Sequence, residues 1–417
     1  MQEQKRSANA VAIMDGAMGT LLEDYGVDMD KASPMWSSTV LLSNPELVQR
    51  AHQAYIDAGC DVLLTCTYQM FEEGCTASGV TMSDLVDSAV KVARLRMPLR
   101  KKEVNLKLNN KWSNTLTGPS HIFAPLFSSL EDPSERYVLL AGSLGPYGCS
   151  FPGGHEYRGD YEVNDSLIDT FHGGRLLSFV GESGEKAFLK VDFLILETFP
   201  KLDEAVKVLL WMQQQKEFPN KILATAPVCL SFVSAPIESF FPEDGDDKAL
   251  SEWWELQESQ SRLPDGNTFE DALIKLQKCN ALGLAGIGCN CSLPLEVSFM
   301  ASVMLKKKRL DKENPLALLI YPNSGEFFGN GEWYYKKEIK KDLLMGLGKE
   351  EVDSIQTLKR KLATGHGDIC TSLQFILQLL HQRDETEDWL FKVILYGGCC
   401  RSTPEDTTAL KRVCLGS

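Results

Sequence analysis

Short apolar segments alternate with helix-like segments along most of the chain. Each apolar segment is rich in aliphatic residues, ends near a small or polar residue, and precedes a stretch with helical spacing. This alternation predicts an α/β fold with a parallel sheet. The predicted strands are residues 11–14, 61–65, 137–141, 193–196, 222–225, 284–287, 316–320 and 393–396. Eight such units favour a closed (β/α)₈ TIM barrel, whose chemistry lies at the carboxyl ends of the strands.

Two helical segments have clear features in the sequence. Residues 45–55 begin with Pro45, which suits the first position of a helix, and Asn44 is a residue type that caps helix starts. Residues 373–380 repeat apolar side chains at helical spacing. We therefore predict a helix in each segment.

Three stretches are too long or too polar to be simple connections between barrel units. They are residues 99–135, 235–268 and 330–385. We predict one domain over residues 1–417, with loop insertions at these places. The first two are expected to be partly disordered, and the third is expected to hold a barrel helix and an extension.

The composition indicates a globular protein with a large core. The chain has 417 residues, of which 43% are hydrophobic, and no apolar run reaches the length of a membrane span. Its formal net charge of -14 argues against nucleic acid or an anionic membrane as the main partner. The negative charge otherwise favours solubility and indicates little else.

The cysteines indicate a reducing compartment. There are 12 of them without the spacing of a secreted disulfide framework, and residues 1–7 lead into no apolar signal segment. We expect a cytoplasmic protein, in which clustered thiols are more often metal ligands or catalytic groups than disulfides.

Cys399 and Cys400 are the most informative pair of cysteines. Adjacent residues of a regular strand point to opposite faces, so these two can share a metal only where the strand becomes a loop. Gly397 and Gly398, just before them, permit that irregular backbone. We predict that the pair contributes two metal ligands at the end of the last strand.

Cys291 is the predicted third ligand, because it lies at the carboxyl end of another predicted strand. Cys289 has the same strand parity but is farther from the rim, and core packing is the better interpretation for it. Zinc with three protein ligands keeps a fourth position open, as in catalytic sites. The sequence therefore predicts a three-thiolate Zn²⁺ site.

Several further motifs, each at a predicted strand end, resemble those of the homocysteine S-methyltransferase family. The matching segments are residues 15–20, 58–61, 65–69, 142–148, 156–161, 197–198, 288–291, 321–326 and 397–400. Each is weak alone, but their order covers nearly the whole chain. The resemblance implies a barrel enzyme that uses three-thiolate zinc to activate homocysteine and produces methionine.

The resemblance also assigns roles to individual positions. Those that match the family's zinc ligands are Cys291, Cys399 and Cys400, and those that match its contacts to the amino-acid end of homocysteine are Asp15, Gly16 and Glu197. A carboxylate suits the substrate ammonium, and a glycine turn offers backbone groups. The resemblance implies a sulfonium as the methyl donor, and its leaving group is a neutral thioether that needs no general acid. No catalytic residue beyond the metal site is therefore expected.

The chain departs from the family pattern at three positions. Ala17 stands where a second Gly is common, Cys66 where Asn is common, and Arg401 where many relatives have Gly. The segment 401–404 resembles plant and fungal members, which implies S-methylmethionine or S-adenosylmethionine as the methyl donor. Trp36, Tyr68 and Tyr157 are candidates for cation–π contact with that sulfonium, with core packing as the alternative.

Other functions remain open at this point. A betaine-dependent relative has the same barrel, whereas a complete corrinoid enzyme is disfavoured because few residues follow Arg401. A non-catalytic barrel is the alternative from a different class. There, either zinc is structural, with Cys289 as a fourth ligand, or the pair Cys399 and Cys400 is a redox sensor.

Overall fold

Eight parallel strands form one barrel in the computed structural model, within the part of the chain that it describes. The described residues are 10–29, 35–98, 116–130, 137–237, 239–279, 283–309, 314–324, 326–329, 332–335, 353–384 and 387–415. We number the barrel strands β1 (Ala10–Ile13), β2 (Val62–Leu64), β3 (Leu139–Leu144), β4 (Phe193–Phe199), β5 (Val228–Phe232), β6 (Leu284–Asn290), β7 (Leu316–Tyr321) and β8 (Phe391–Tyr396).

The barrel closes between its first two strands. The sheet order runs β1-β8-β7-β6-β5-β4-β3-β2, and every neighbouring pair is parallel. One parallel bridge, Met14 to Val62, joins β1 to β2. Backbone hydrogen bonds from Asp61 N to Ile13 O and from Asp15 N to Val62 O support that bridge. The predicted (β/α)₈ barrel is confirmed.

The predicted strand at residues 222–225 is wrong. Asn220–Ala224 forms a 3₁₀ turn that buries Leu223, and β5 begins four residues further on at Val228. A four-residue apolar run fits a buried helical turn as well as a strand, so its hydrophobicity alone does not decide between them. Pro227, just before β5, marks the true start, since proline is tolerated at strand ends.

Helices surround the barrel. Among the described residues they are Met18–Asp24, Ser37–Ser43, Pro45–Ala58, Glu72–Ala77, Met82–Arg94, His155–Arg158, Asp165–Leu167, Gly174–Leu177, Leu202–Gln213, Asp247–Gln260, Phe269–Lys278, Pro294–Met304, Ile355–Ala363, Ile369–His381 and Pro404–Leu415. A π turn spans Ile168–Gly173, and 3₁₀ turns span Gly118–Leu130 and Tyr147–Ser150. Two hairpins pair Val180–Ser183 with Lys186–Leu189 and Glu326–Gly329 with Glu332–Tyr335. None of the helices described is long and apolar enough to cross a membrane.

Both predicted helices are confirmed. The first starts at Pro45 as expected, but the Asn44 side chain makes no capping hydrogen bond. The second lies within Ile369–His381, whose N-cap Asp368 accepts a hydrogen bond from the Thr371 backbone N–H at 2.7 Å. Pro45 located the start of the first helix and apolar spacing located the second, whereas the expected Asn44 side-chain cap is not formed.

The first predicted insertion contains a segment that fills the amino-terminal end of the barrel. Leu116 and the 3₁₀ turns that follow it belong to the same apolar cluster as the inward-facing side chains of the strands. Phe123 packs edge to face on Phe193, the first residue of β4, at 5.2 Å between ring centroids. We call Gly118–Leu130 the plug segment. This part of the insertion is ordered, because its apolar side chains complete the core. Residues 99–115 and 131–136 lie outside the described residues, so the expected partial disorder stays a prediction.

The other two predicted insertions also contain helices. Asp247–Gln260 buries Trp254 against Phe299 and Phe375, so this part of the second insertion is ordered. Ile355–Ala363 and Ile369–His381 supply the expected barrel helix and extension in the third stretch. Residues 336–352 lie outside the described residues.

Candidate metal centre and active site

Three cysteine sulfurs meet at the carboxyl-terminal end of the barrel. Cys291 follows β6 directly, and Cys399 and Cys400 follow β8 after two glycines. The Sγ atoms of these three residues all lie within 4.8 Å of one another. Cys291 and Cys399 are joined as a disulfide in this structure, so their reduction yields a cluster of three thiols. Soft thiolate donors in such a cluster suit Zn²⁺ and related metals.

The strand between the two cysteine-bearing strands fixes the backbone on both sides. The Cys291 N–H donates to Tyr321 O at 3.2 Å, and the Cys399 N–H donates to Pro322 O at 2.7 Å. Cys291 has φ of 49°, which turns the chain away from the direction of β6. A Cβ on Gly398 would overlap the Ser402 side chain, so this turn requires glycine. The end of β7 therefore holds the two cysteine loops beside each other.

Cys289 lies outside this cluster. Its side chain is fully buried, its thiol lies 3.6 Å from the Ser292 Oγ, and burial raises its pKa to about 12. A structural zinc site would need a fourth protein ligand, and the cysteine cluster of the described residues contains only three. The geometry therefore favours a site with an open position.

Two buried carboxyl groups lie at the same end of the barrel. Asp15 follows β1, and its Oδ2 accepts a hydrogen bond from the Leu64 N–H at 2.9 Å. Burial raises the pKa of Asp15 well above its usual value, and the nearby charge of Glu197 raises it further. Burial also raises the pKa of Glu197 to about 7. Two adjacent acids with raised pKa values are a site at which a bound cation would be stabilised.

A row of hydroxyl groups positions Glu197. The Ser143 hydroxyl donates to Glu197 Oε1 in a short hydrogen bond. The Ser143 backbone is held in turn by Thr65 Oγ1, which accepts from its N–H at 3.0 Å, and by Thr67 Oγ1, which donates to its carbonyl at 2.7 Å. The carboxyl ends of strands β1 to β4 thus each contribute polar residues to this part of the site.

Gly16 lies where no side chain fits. A Cβ there would come within 2.6 Å of Ser402 Oγ and 2.9 Å of the Tyr55 hydroxyl. Ser402 accepts from the Ala17 N–H at 3.1 Å and donates to Cys399 O at 2.6 Å. The turn that carries Asp15 is therefore hydrogen-bonded to the loop that carries the cysteine pair.

The model of the protein family described as homocysteine S-methyltransferase matches residues 12–414 of this chain. The chain belongs to the homocysteine S-methyltransferase family. Among curated relatives, homocysteine S-methyltransferase 1 of Arabidopsis thaliana is 25% identical over 415 residues, which cover 99% of this chain and 96% of the relative. The homocysteine S-methyltransferase of Escherichia coli (strain K12) is 26% identical over 407 residues, covering 96% and 94%.

Two solved structures of one similar protein have the same fold as this chain. The homocysteine methyltransferase MmuM from Escherichia coli, in its metallated form, superposes with a TM-score of 0.55 at 22% identity, covering 96% of this chain and 95% of that chain. Its oxidized form gives a TM-score of 0.56 at 23% identity over the same shares. The barrel of this homocysteine S-methyltransferase family member is thus a fold that it shares with MmuM.

The three departures from the family pattern all have structural partners. Arg401 forms an ion pair with Glu23 at 2.9 Å and adopts a φ of 63°. The Cys66 thiol donates to Ser37 O at 3.2 Å, and the Ala17 N–H binds Ser402 as described. These residues hold the loops around the site to one another.

The candidate aromatic residues differ in position. Tyr68 is near Glu197 and Thr198, and Tyr157 is near Cys400. Trp36 is 50% exposed and has a strained φ of 45°. Tyr321 is the first residue of the matched segment 321–326. Its buried hydroxyl lies near Glu197. Tyr157 thus lies beside a cysteine of the cluster, and Tyr68 lies beside the carboxyl group of Glu197.

Thr198, Ser231 and Arg175 were not recognised as functional residues from the sequence. Thr198 and Ser231 surround Asn290 at the ends of β4, β5 and β6. Arg175 is buried and donates to Gly145 O at 2.7 Å and to Tyr68 O at 2.6 Å. Thr198 follows Glu197 in a quoted motif, which was the one available indication; Ser231 and Arg175 lie in no motif.

Proposed function

We propose that this protein transfers a methyl group from a sulfonium donor, S-methylmethionine or S-adenosylmethionine, to the thiol of homocysteine, with methionine as the product. The observation that carries the proposal is the meeting of three cysteine sulfurs with two buried carboxyl groups at one end of the barrel. The cysteine cluster suits a thiol, and the two carboxyl groups suit the ammonium group of an amino acid. A small-molecule amino thiol fits both.

Cys291, Cys399 and Cys400 would hold a zinc ion. The donor set fits this metal, because three thiolates leave one tetrahedral position for a further ligand. When bound, zinc lowers the pKa of a thiol that joins it, so that homocysteine reacts as a thiolate at neutral pH. Cysteine spacing and family membership support this assignment, and a metallated form is known for MmuM.

Asp15 and Glu197 would bind the ammonium group of homocysteine. The structure describes no basic side chain paired with either carboxyl, and their pKa values are raised as expected for acids that lack a cation. A bound ammonium would lower both pKa values and form charge-assisted hydrogen bonds. Gly16, in the same turn as Asp15, would offer backbone groups to the substrate.

The donor's chemistry explains why no catalytic acid is assigned. When the homocysteine sulfur attacks the methyl carbon, the carbon–sulfur bond of the sulfonium breaks and the electron pair stays with a neutral thioether. The protein therefore has to orient the three reacting atoms in line. Tyr68 near Glu197 and Tyr157 near Cys400, both half-buried, are suited to face a sulfonium. The segment 401–404 supports S-methylmethionine or S-adenosylmethionine over betaine.

Single substitutions of the cysteines test the proposal. Cys291→Ser, Cys399→Ser and Cys400→Ser should each lose zinc, measured by elemental analysis, and methyl transfer, while circular dichroism stays unchanged. Cys289→Ala is the matched control and should keep both, since it lies outside the cluster. An active, zinc-free Cys399→Ser protein would refute the metal assignment. A panel of S-methylmethionine, S-adenosylmethionine and betaine tests the donor, and a preference for betaine would overturn that part.

The expected setting is the cytoplasm, where a reducing potential keeps the ligand cysteines as thiols.

A further inference from the structure

Thr198 has a backbone conformation that its residue type disfavours. Its φ is 64°, and a β-branched residue rarely occupies this left-handed region without compensating contacts. It lies within β4, where the pairing with β5 shifts register between Leu196 and Phe199. Thr198 is fully buried at this irregularity. Contacts with other residues must therefore hold Thr198 in this conformation.

Asn290 supplies those contacts. Its Oδ1 accepts the Thr198 N–H at 2.9 Å and the Ser231 hydroxyl at 2.7 Å. Because a backbone N–H can only donate, the amide oxygen of Asn290 must face Thr198 N, which fixes the amide orientation. The amide nitrogen, Nδ2, then donates to Thr198 Oγ1 at 2.7 Å. All three residues are fully buried.

This arrangement determines where the remaining protons point. Thr198 Oγ1 already accepts from Asn290, so its own proton is directed to Cys291 Sγ, at 3.8 Å. The second proton of Asn290 Nδ2 faces Cys399 Sγ at 4.0 Å. The Tyr68 hydroxyl also lies near Thr198, although it makes no hydrogen bond of good geometry to any described residue. Two ligand sulfurs therefore each face a buried donor.

We propose that Thr198 and Asn290 determine which sulfur is methylated. This inference rests on the proposed function, in which cysteine thiolates and the substrate thiolate surround one zinc ion. Each is a nucleophile, and methylation of a cysteine would form a carbon–sulfur bond to Sγ, release the donor's thioether and convert the ligand into a thioether. A hydrogen bond withdraws electron density from the cysteine sulfur and lowers its nucleophilicity. The substrate sulfur is then more reactive than the sulfurs of Cys291 and Cys399.

Thr198 is a positioning residue in this account, because it acts through Cys291 and does not have to touch the substrate. The test uses zinc-loaded full-length protein without homocysteine, treated with methyl iodide as a small methyl donor. Peptide mass spectrometry then gives the methylation rate at each cysteine. Thr198→Val removes the hydroxyl but keeps the branched shape, and Thr198→Ser keeps the hydroxyl.

We expect Thr198→Val to raise the methylation rate at Cys291 by roughly threefold to tenfold, the effect of one lost hydrogen bond. The rate at Cys400 should stay the same, and Thr198→Ser should resemble the wild type at both residues. Equal Cys291 rates in wild type and Thr198→Val would overturn the proposal. A merely structural role would raise the rates at all three cysteines together.

Ser231→Ala is a second variant for the case in which Thr198→Val does not fold. This substitution removes the Ser231 hydroxyl, which donates to Asn290 and contacts neither sulfur. It should raise the methylation rates at Cys291 and Cys399, and unchanged rates would count against the proposal. Zinc retention against a chelator is measured on the same samples. A wild-type protein that binds no zinc refutes the proposed function, whereas a zinc-bound wild type with Thr198→Val labelled identically refutes only this inference.

Discussion

Burial controls the chemistry of single residues around this site. Glu197 is an acid whose pKa is raised to about 7, within the physiological range, because the barrel end removes it from water. The family resemblance nominated Glu197 and Asp15, since both stand in motifs that match the family. The sequence could not nominate Thr198, because the role of that residue depends on a φ of 64° and on a partner from another strand.

The affinity for methionine, the proposed product, should rise with pH through about 7. In the empty site Glu197 is protonated below that pH, and a protonated acid cannot pair with an ammonium group, so ionisation of Glu197 strengthens binding. Methionine has no thiol to titrate, which isolates the carboxyl effect. Titration calorimetry from pH 6 to 8 should show affinity increasing by roughly tenfold.

Glu197→Gln should abolish this pH dependence. The matched control is Glu296→Gln. Burial raises the pKa of Glu296 to about 7 as well, but this carboxyl accepts from the Leu293 and Ile237 N–H groups and is not one of the proposed ammonium ligands. That variant should keep the wild-type slope. An unchanged slope in Glu197→Gln would show that another group binds the ammonium.

His52 should make folding stability depend on pH. It is fully buried without a hydrogen-bond partner among the described residues, and burial lowers its pKa from 6.5 to about 4. A lowered pKa means that the unfolded chain binds the proton more tightly, so stability is present above pH 6.5 and is lost as pH falls toward 4. The loss attributable to His52 is roughly 3 kcal/mol.

Urea unfolding of wild type and His52→Leu at several pH values between 6.5 and 4 measures this contribution. The variant should lose less stability over the range, whereas His121→Leu, an exposed histidine in the plug segment, should follow the wild type. Parallel curves for wild type and His52→Leu would contradict the assignment.

At the scale of elements, a buried ionic network shapes the loop that follows β3. Glu204 accepts from the Tyr147 N–H at 2.7 Å and from the Tyr161 hydroxyl at 2.6 Å, and lies 2.8 Å from His172 Nε2. Arg175 joins Gly145 to Tyr68 through its two terminal nitrogens. The sequence located the strands and the glycine-rich loop but not this network, because its members are far apart in the chain and lie partly on a π turn.

Arg175→Lys should impair catalysis without loss of metal. A lysine has one ammonium group and cannot replace the planar fork that reaches both carbonyls, so Tyr68 should lose its fixed position. We expect kcat/KM to fall by roughly tenfold, with zinc content unchanged. A variant of wild-type activity would show that Tyr68 does not depend on Arg175.

At the scale of the whole molecule, the barrel has a polar end that carries the site and an apolar end that the plug segment fills. The eight-unit alternation predicted the barrel because strand hydrophobicity and helix spacing are local properties. The plug segment was missed because filling a barrel end is a tertiary property, and its 3₁₀ backbone around Pro125 has no simple period.

Removing a plug side chain should destabilise the fold and spare the site. Phe123 is fully buried against Phe193, so Phe123→Ala should cost about 3–5 kcal/mol of unfolding free energy. Zinc content and kcat at low temperature should stay at wild-type values, since the site lies at the other end. His121→Ala, in the same segment but exposed, is the control. Loss of zinc from folded Phe123→Ala would show that the two ends are coupled.

Zinc K-edge X-ray absorption on the reduced, zinc-loaded protein tests the central claim most directly. With Cys291, Cys399 and Cys400 as ligands, the spectrum should fit three sulfur neighbours at about 2.3 Å without substrate and four after homocysteine is added. Four sulfur neighbours before the addition, or three both before and after, would contradict the account.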